Sequence, residues 1–303
     1  MLLRSSMLRR GPTAAIRTPA LVAARRLLSS AVEYASSCYL PTEWTALPLV
    51  ARREVSADST IYDFGLPEKQ SLNLPVCACL LLKAPGAGME GSDAVRPYTP
   101  ISDNSMVGRF ELLVKRYEGG AASQYLQSLP LGSPVEFKHS KFNIKEQYPF
   151  PGKTSFTLIA AGTGITPMYQ ALGKLLNTAG DDRKVTVLYG SRTPEDILLK
   201  EELDLMAKAH PDRLQLVHVV GTSPDELAAP GWTSTPTYTA ETGWIDEAKI
   251  RRYAFGPSED TLVFVCGLPS MYDALCGPRN EKELAEGTAL KALGYTAEMV
   301  AKM

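Results

Sequence analysis

The sequence predicts two domains: an antiparallel β-barrel or sandwich, then an α/β domain built on a parallel sheet. Three observations carry this reading. The chain has 303 residues, room for two ordinary domains, and its 45% hydrophobic and 21% charged content is that of a soluble globular protein. From about Thr60 to Phe137, short strand-like runs are punctuated by Gly, Pro, Ser and Asp, with little helical periodicity between them. Beyond residue 154, apolar runs alternate with amphipathic ones, as in a parallel sheet with helices on its faces.

The first thirty residues hold Arg4, Arg9, Arg10, Arg17, Arg25 and Arg26 and no Asp or Glu. An Arg- and Ser-rich, acid-poor start reads as a mitochondrial transit peptide, with Arg26-Leu27-Leu28-Ser29 as a processing site. Arginines interrupt any apolar core that a secretory signal would need. The rest of the chain carries 26 basic and 33 acidic side chains, a net charge of −7, which argues against nucleic acid as the main partner. No uninterrupted apolar run reaches about 18 residues, so no transmembrane span is expected, and peripheral membrane contact stays open.

Residues 31–60 have no clear period. In the first domain, residues 40–150, Gly108–Tyr117 reads as a good strand, Val135–Phe137 as a short one and Ser123–Leu129 as a helix. Cys77 and Cys79 alternate in an apolar run and are expected as two buried thiols on one strand face. Five cysteines imply no disulfide framework, and His139, His210 and His218 lack ligand spacing, so no metal is expected. Residues 138–154 are polar and read as the crossover. In the second domain, residues 151–303, strands are expected at Ser155–Ala161, Lys184–Tyr189, Leu214–Val220 and Thr261–Cys266. Helices are expected at Pro167–Asn177 and Glu195–Lys208, and a loop at Thr222–Thr242.

Four segments carry the chemistry. Leu158-Ile-Ala-Ala-Gly-Thr-Gly-Ile-Thr-Pro167 reads as a buried strand, a tight glycine turn and a helix start, where free N–H groups and the helix dipole favour phosphate. Arg96-Pro-Tyr-Thr-Pro-Ile-Ser102 is an extended segment stiffened by proline. Alternation puts Arg96, Tyr98 and Pro100 on one side and Thr99 on the other, offering a cation for a pyrophosphate and a ring for stacking. Gly119-Gly-Ala-Ala-Ser123 is a second anion-binding turn. Val263-Phe-Val-Cys-Gly-Leu-Pro-Ser-Met271 ends a strand at Cys266, and ligands bind at the carboxyl ends of strands in open α/β sheets.

In this order the four segments resemble the ferredoxin reductase superfamily, and within it the NADH–cytochrome b5 reductases, mitochondrial form included. Asp196-Ile-Leu-Leu-Lys-Glu-Glu-Leu203 and Leu293-Gly-Tyr-Thr-Ala-Glu-Met-Val300 are also similar, and the likeness covers roughly residues 40–303. It implies an FAD-binding antiparallel barrel followed by a nicotinamide-binding α/β domain. By motif, Arg96 would hold the FAD pyrophosphate, Tyr98 would stack on the flavin and Thr99 would sit beside its N5. Leu113, Lys115 and Tyr117 would line the flavin and ribose part, and Gly120, Ala121, Ala122 and Ser123 would bind phosphate. Thr166, beside Pro167, would reach the flavin. Gly162, Thr163 and Gly164 would border NADH, while Cys266 would lie near the nicotinamide in a pocket shaped by Gly267, Pro269 and Met271. Tyr98, Thr99 and Cys266 are thus the candidate catalytic residues.

The sequence departs from the family at Ala121 and Ala122 (often Lys and Met), at Leu268, at His139-Ser140 and at Met303. The alanines remove a positive charge near the diphosphate, and His139 could alter the flavin edge seen by an acceptor. Tyr189-Gly-Ser-Arg192 bears on NADH against NADPH. Arg192 flanking adenine fits NADH; Arg192 meeting a 2′-phosphate would fit NADPH. The resemblance implies electron transfer from NADH through FAD to cytochrome b5 or a similar haem protein, with nicotinamide C4 placed against flavin N5. Lys115, Arg116, Lys138, Lys141 and Lys145 are candidates for docking an acidic acceptor. The alternatives are a flavin or ferric reductase serving small acceptors, and a catalytically silent interaction subunit.

Overall fold

The computed structural model describes residues 38–139, 146–221 and 232–303. The segment expected to be a transit peptide, Lys141 and Lys145 lie outside them. The first six strands are β1 (Thr45–Ser56), β2 (Ser59–Gly65), β3 (Leu80–Ala84), β4 (Ala94–Tyr98), β5 (Arg109–Lys115) and β6 (Pro134–His139), with helix α1 (Ala121–Ser128) before β6. They form one antiparallel sheet in the order β4-β3-β6-β1-β2-β5. β1 serves two neighbours: Thr45–Pro48 pairs with β6, and the strand from Leu49 onward pairs with β2. Two register shifts in β1 are bulges that bend it. Beyond β4 the Ile101 N–H donates to the Glu111 carbonyl of β5 at 2.9 Å, so the edges meet and the sheet closes. The architecture is therefore a barrel rather than a sandwich. Phe64, Phe110 and Phe137 fill it, with ring centroids 4.7 to 5.5 Å apart.

The second sheet is wholly parallel. Its strands are β7 (Ser155–Ala161), β8 (Lys184–Ser191), β9 (Leu214–Val220), β10 (Thr239–Thr242), β11 (Thr261–Cys266) and β12 (Val300–Lys302), in the order β10-β9-β8-β7-β11-β12. Helices α2 (Ile165–Asn177) and α3 (Lys200–Ala209) pack on one face. Helices α4 (Glu247–Tyr253), α5 (Pro269–Leu275) and α6 (Ala289–Ala292) pack on the other. Strands covered on both sides read as continuous apolar runs, which is why β7, β8, β9 and β11 stand out in the sequence. The order reverses between β7 and β11, and that reversal opens a crevice beyond their carboxyl ends.

Several expectations are corrected. The helix expected from Glu195 begins only at Lys200, because Leu199 takes a left-handed conformation (φ 55°) after a short turn at Pro194–Asp196. The expected loop Thr222–Thr242 ends in the edge strand β10, too short to give a period. Cys77 and Cys79 are not on a strand. Cys77 sits at φ 63° in the turn before β3, and only Cys77 is fully buried.

That turn is part of the joint between the two domains. The side-chain amide of Gln170 on α2 donates to the Pro100 carbonyl at 2.7 Å and accepts from the Cys77 N–H at 2.8 Å. The Cys77 thiol donates to the Pro167 carbonyl at 3.2 Å. The start of α2 is thereby fastened to the two barrel segments flanking Thr99.

His218 on β9 is fully buried between the rings of Tyr189 and Tyr238, 5.8 and 5.0 Å away. Burial pushes its pKa down to about 4; nearby Lys200 adds to this and Asp204 opposes it. The unfolded chain takes up this proton below about pH 6.5 while the fold resists it, so stability is intact above 6.5 and falls as pH drops towards 4. The loss should total about 3 kcal/mol. His218→Phe is expected to flatten this slope in urea titrations between pH 7 and 4.5; a slope as steep as in the parent chain would show that other groups cause it.

Candidate functional site

A cavity of about 400 Å³ lies between the barrel lip and the carboxyl ends of β7 and β11. The barrel lines it with Arg96, Tyr98, Thr99, Leu113, Lys115 and Tyr117, and with Gly120, Ala121, Ala122 and Ser123 where α1 begins. The α/β domain lines it with Thr163, Gly164, Thr166 and Pro167 at the start of α2, and with Cys266 and Gly267 after β11. The four segments singled out in the sequence, up to 170 positions apart, share this one space. Arg96 and Thr99 both reach it, contrary to the expected alternation, because β4 ends at Tyr98 and Thr99 is no longer bound to the strand's period.

Glycine sets the closest approach. A Cβ on Gly164 would lie 2.0 Å from the Cys266 carbonyl oxygen, so only glycine lets the β7 turn rest on the end of β11. A Cβ on Gly120 would lie 2.6 Å from Ser123 Oγ, inside the turn that opens α1. There the Ser123 hydroxyl donates to the Gly120 carbonyl at 2.9 Å, and the N–H groups of the first helical turn have no partner within the helix.

Among the described residues no aspartate or glutamate lines the cavity, and three cations do: Arg96, Lys115 and Arg279. Lys115 is engaged, 2.9 Å from Asp58 and 3.5 Å from Asp196. Arg96 is exposed and donates to its neighbour's carbonyl, Val95, at 2.8 Å. Burial pushes the Tyr98 phenol up to about 12, against the opposing pull of Arg96, so the ring stays neutral. A neutral ring beside an uncompensated guanidinium suits a flat, diphosphate-bearing ligand.

The matches to known proteins fit this geometry. Residues 46–145 match the oxidoreductase FAD-binding domain family and residues 158–277 the oxidoreductase NAD-binding domain family. NADH-cytochrome b5 reductase 2 of Kluyveromyces lactis is 36% identical over 265 residues, covering 86% of this chain and 84% of that protein. The chain belongs to the NADH–cytochrome b5 reductase family. The reductase of the same name from Saccharomyces cerevisiae is also 36% identical, covering 86% of this chain and 83% of that one. Among solved structures, the cytochrome b5 reductase domain of Ulva prolifera nitrate reductase matches with a TM-score of 0.66 and 32% identity over 77% of this chain and 90% of that one. As a member of the family, the protein is an FAD- and NADH-dependent oxidoreductase with the barrel and parallel-sheet domains expected.

Four of the expected site residues stand outside the cavity lining. Gly162 (φ 53°) turns the chain, and its carbonyl accepts from the Tyr189 hydroxyl at 3.1 Å. Pro269 opens α5, and Met271 packs beneath Gly267, where an added Cβ would lie 2.6 Å from its Cε. Arg192 points to solvent, its Nε 3.0 Å from Asp196. His139 is buried at the end of β6 and does not reach the cavity. The docking candidates do not form one patch: Lys115 is held by carboxylates, and Lys138 lies over the Trp44 ring at 4.6 Å. The lining also includes Cys77, Cys79, Tyr272 and Arg279, for which no motif spoke, together with Leu268 and Met303, two of the departures from the family.

Proposed function

We propose that this reductase takes electrons from NADH and delivers them to cytochrome b5 or a similar haem protein. The observation that carries it is the cationic cavity at the switch point, shared by the FAD-binding and NAD-binding domains. Arg96 and the free N–H groups of Ala121, Ala122 and Ser123 would hold the FAD diphosphate. Tyr98 would flank the ring system and Thr99 would offer a hydroxyl at its edge. Gly164 and Cys266 would admit the nicotinamide. FAD supplies the step between a two-electron donor and a one-electron acceptor. The protein need not provide an acid or base; the residues of the cavity would hold donor and cofactor together, with the two domains kept aligned by the Gln170 joint. Lys138, over the Trp44 ring, offers a basic point on the barrel wall for an acidic acceptor, whereas Lys83 on the same ring is paired with Glu136 at 2.6 Å.

The test is a visible spectrum of the purified chain from Ser29 onward, before and after anaerobic NADH, followed by acceptor assays. Flavin absorbance that bleaches, with faster turnover on cytochrome b5 than on free flavin or ferric chelates, is expected. Absence of flavin after incubation with FAD would sink the proposal in favour of a silent subunit. Preference for small acceptors would replace the haem protein.

For NADH over NADPH the support is Asp196, which binds both Arg192 and Lys115 and leaves neither charge free for a 2′-phosphate. Asp196→Asn is expected to raise kcat/KM for NADPH roughly tenfold relative to NADH, the worth of one recovered charged contact. An unchanged ratio would clear Asp196 of the role.

The arginine-rich start supports delivery to the mitochondrion. Residues 1–37 fused to a fluorescent protein should carry it there; a diffuse signal would refute the assignment.

A further inference from the structure

The cavity's lining holds one strong charge that no motif accounts for. Arg279 comes from the α/β domain, lines the cavity that the barrel shares, and is exposed. Like Arg96, it takes part in no ion pair among the described residues, although Glu281, Glu283 and Glu286 follow closely in sequence. Lys115 is already neutralised by Asp58 and Asp196. Arg96 and Arg279 are therefore the two uncompensated cations of the cavity, one from each domain.

The loop that carries Arg279 is anchored firmly. Lys302 on β12 is buried, and its ammonium donates to the carbonyls of Pro278 at 3.1 Å and Glu283 at 2.8 Å. Gly277 turns the chain at φ 81°, and a Cβ there would lie 2.6 Å from Ala285, so the two ends of the loop touch. Burying a lysine to hold a surface loop is costly unless its ammonium is fully hydrogen-bonded. The result is a guanidinium mounted on a fixed frame, which lowers the ordering cost of binding.

We propose that Arg279 is a second binding residue for a dinucleotide diphosphate, contributed by the α/β domain as Arg96 is by the barrel. This rests on reading the cavity as the dinucleotide site. FAD and NADH share the diphosphate, and the measurement separates them.

The experiment compares the full holoprotein with Arg279→Gln and Arg279→Lys. FAD release is followed by flavin fluorescence on dilution, and NAD+ binding by calorimetry, each at low and high salt. Arg279→Gln is expected to weaken one of the two dinucleotides roughly 10- to 100-fold, the worth of one charge-assisted contact, and to reduce that ligand's salt dependence; Arg279→Lys should recover part of it. The dinucleotide that weakens is the one Arg279 holds. If both affinities stay within about twofold of the parent chain, the assignment is overturned. It is also overturned if lysine is as damaging as glutamine, because loss then follows shape and not charge. A parent chain that binds no flavin would instead defeat the reading of the cavity itself.

Discussion

Gly164→Ala is expected to lower NADH-driven flavin reduction by at least about 100-fold while FAD remains bound. The added methyl would lie 2.0 Å from the Cys266 carbonyl oxygen, 2.5 Å from its carbon and 3.0 Å from the Gly267 nitrogen. All three are backbone atoms, so no side chain can swing away. Either the β7 turn or the end of β11 must move by about an ångström, and a displacement of that size between reacting partners costs on the order of 100-fold. Overpacking should also remove about 1–3 kcal/mol of stability. Gly162→Ala is the control. That position has a left-handed φ of 53° but open space around the missing Cβ, so it should cost only about 1 kcal/mol of strain. Stopped-flow reduction at the parent rate in Gly164→Ala would mean that the crevice does not admit the nicotinamide.

Arg96→Leu should yield protein that loses most of its flavin during purification. Arg96 lines a cavity with no Asp or Glu side chain among the described residues, and its guanidinium donates to the carbonyl beside it. Removing a charged donor from a diphosphate costs about 1.5–3 kcal/mol, or roughly 10- to 100-fold in affinity. The flavin-to-protein absorbance ratio reads this directly. Arg96→Lys should keep part of the cofactor, since a point charge replaces a bidentate fork. Full flavin content in Arg96→Leu would move the diphosphate away from β4.

The two charges differ in how they could be found. Arg96 precedes a Pro-Tyr-Thr-Pro run whose stiffness and ring are visible in the residues themselves. Arg279 follows Gly277-Pro278 in a stretch that carries no motif, and it becomes significant only because folding brings it to the cavity on a loop that Lys302 holds. Cys77 shows the same limit. Its apolar neighbours suggest a strand, yet Gln170 and Pro167, 93 and 90 positions away, hold it in a left-handed turn. The long first strand escaped notice because its second half, with Arg52, Arg53 and Glu54, is exposed and shows no alternation.

Local pattern was enough for the parallel-sheet half, because strands buried on both faces must be apolar throughout and their glycine turns punctuate them. The order of chemistry-bearing segments was enough for the family, and with it FAD and NADH. Barrel closure was decided by tertiary structure, since it depends on the Ile101–Glu111 pairing and on bulges in β1. So were the engagement of Lys115 and Arg192 by Asp196 and the entry of Arg279 into the cavity. Each depends on partners brought together by chain folding, and a one-dimensional pattern carries no information about which distant charge will neutralise which.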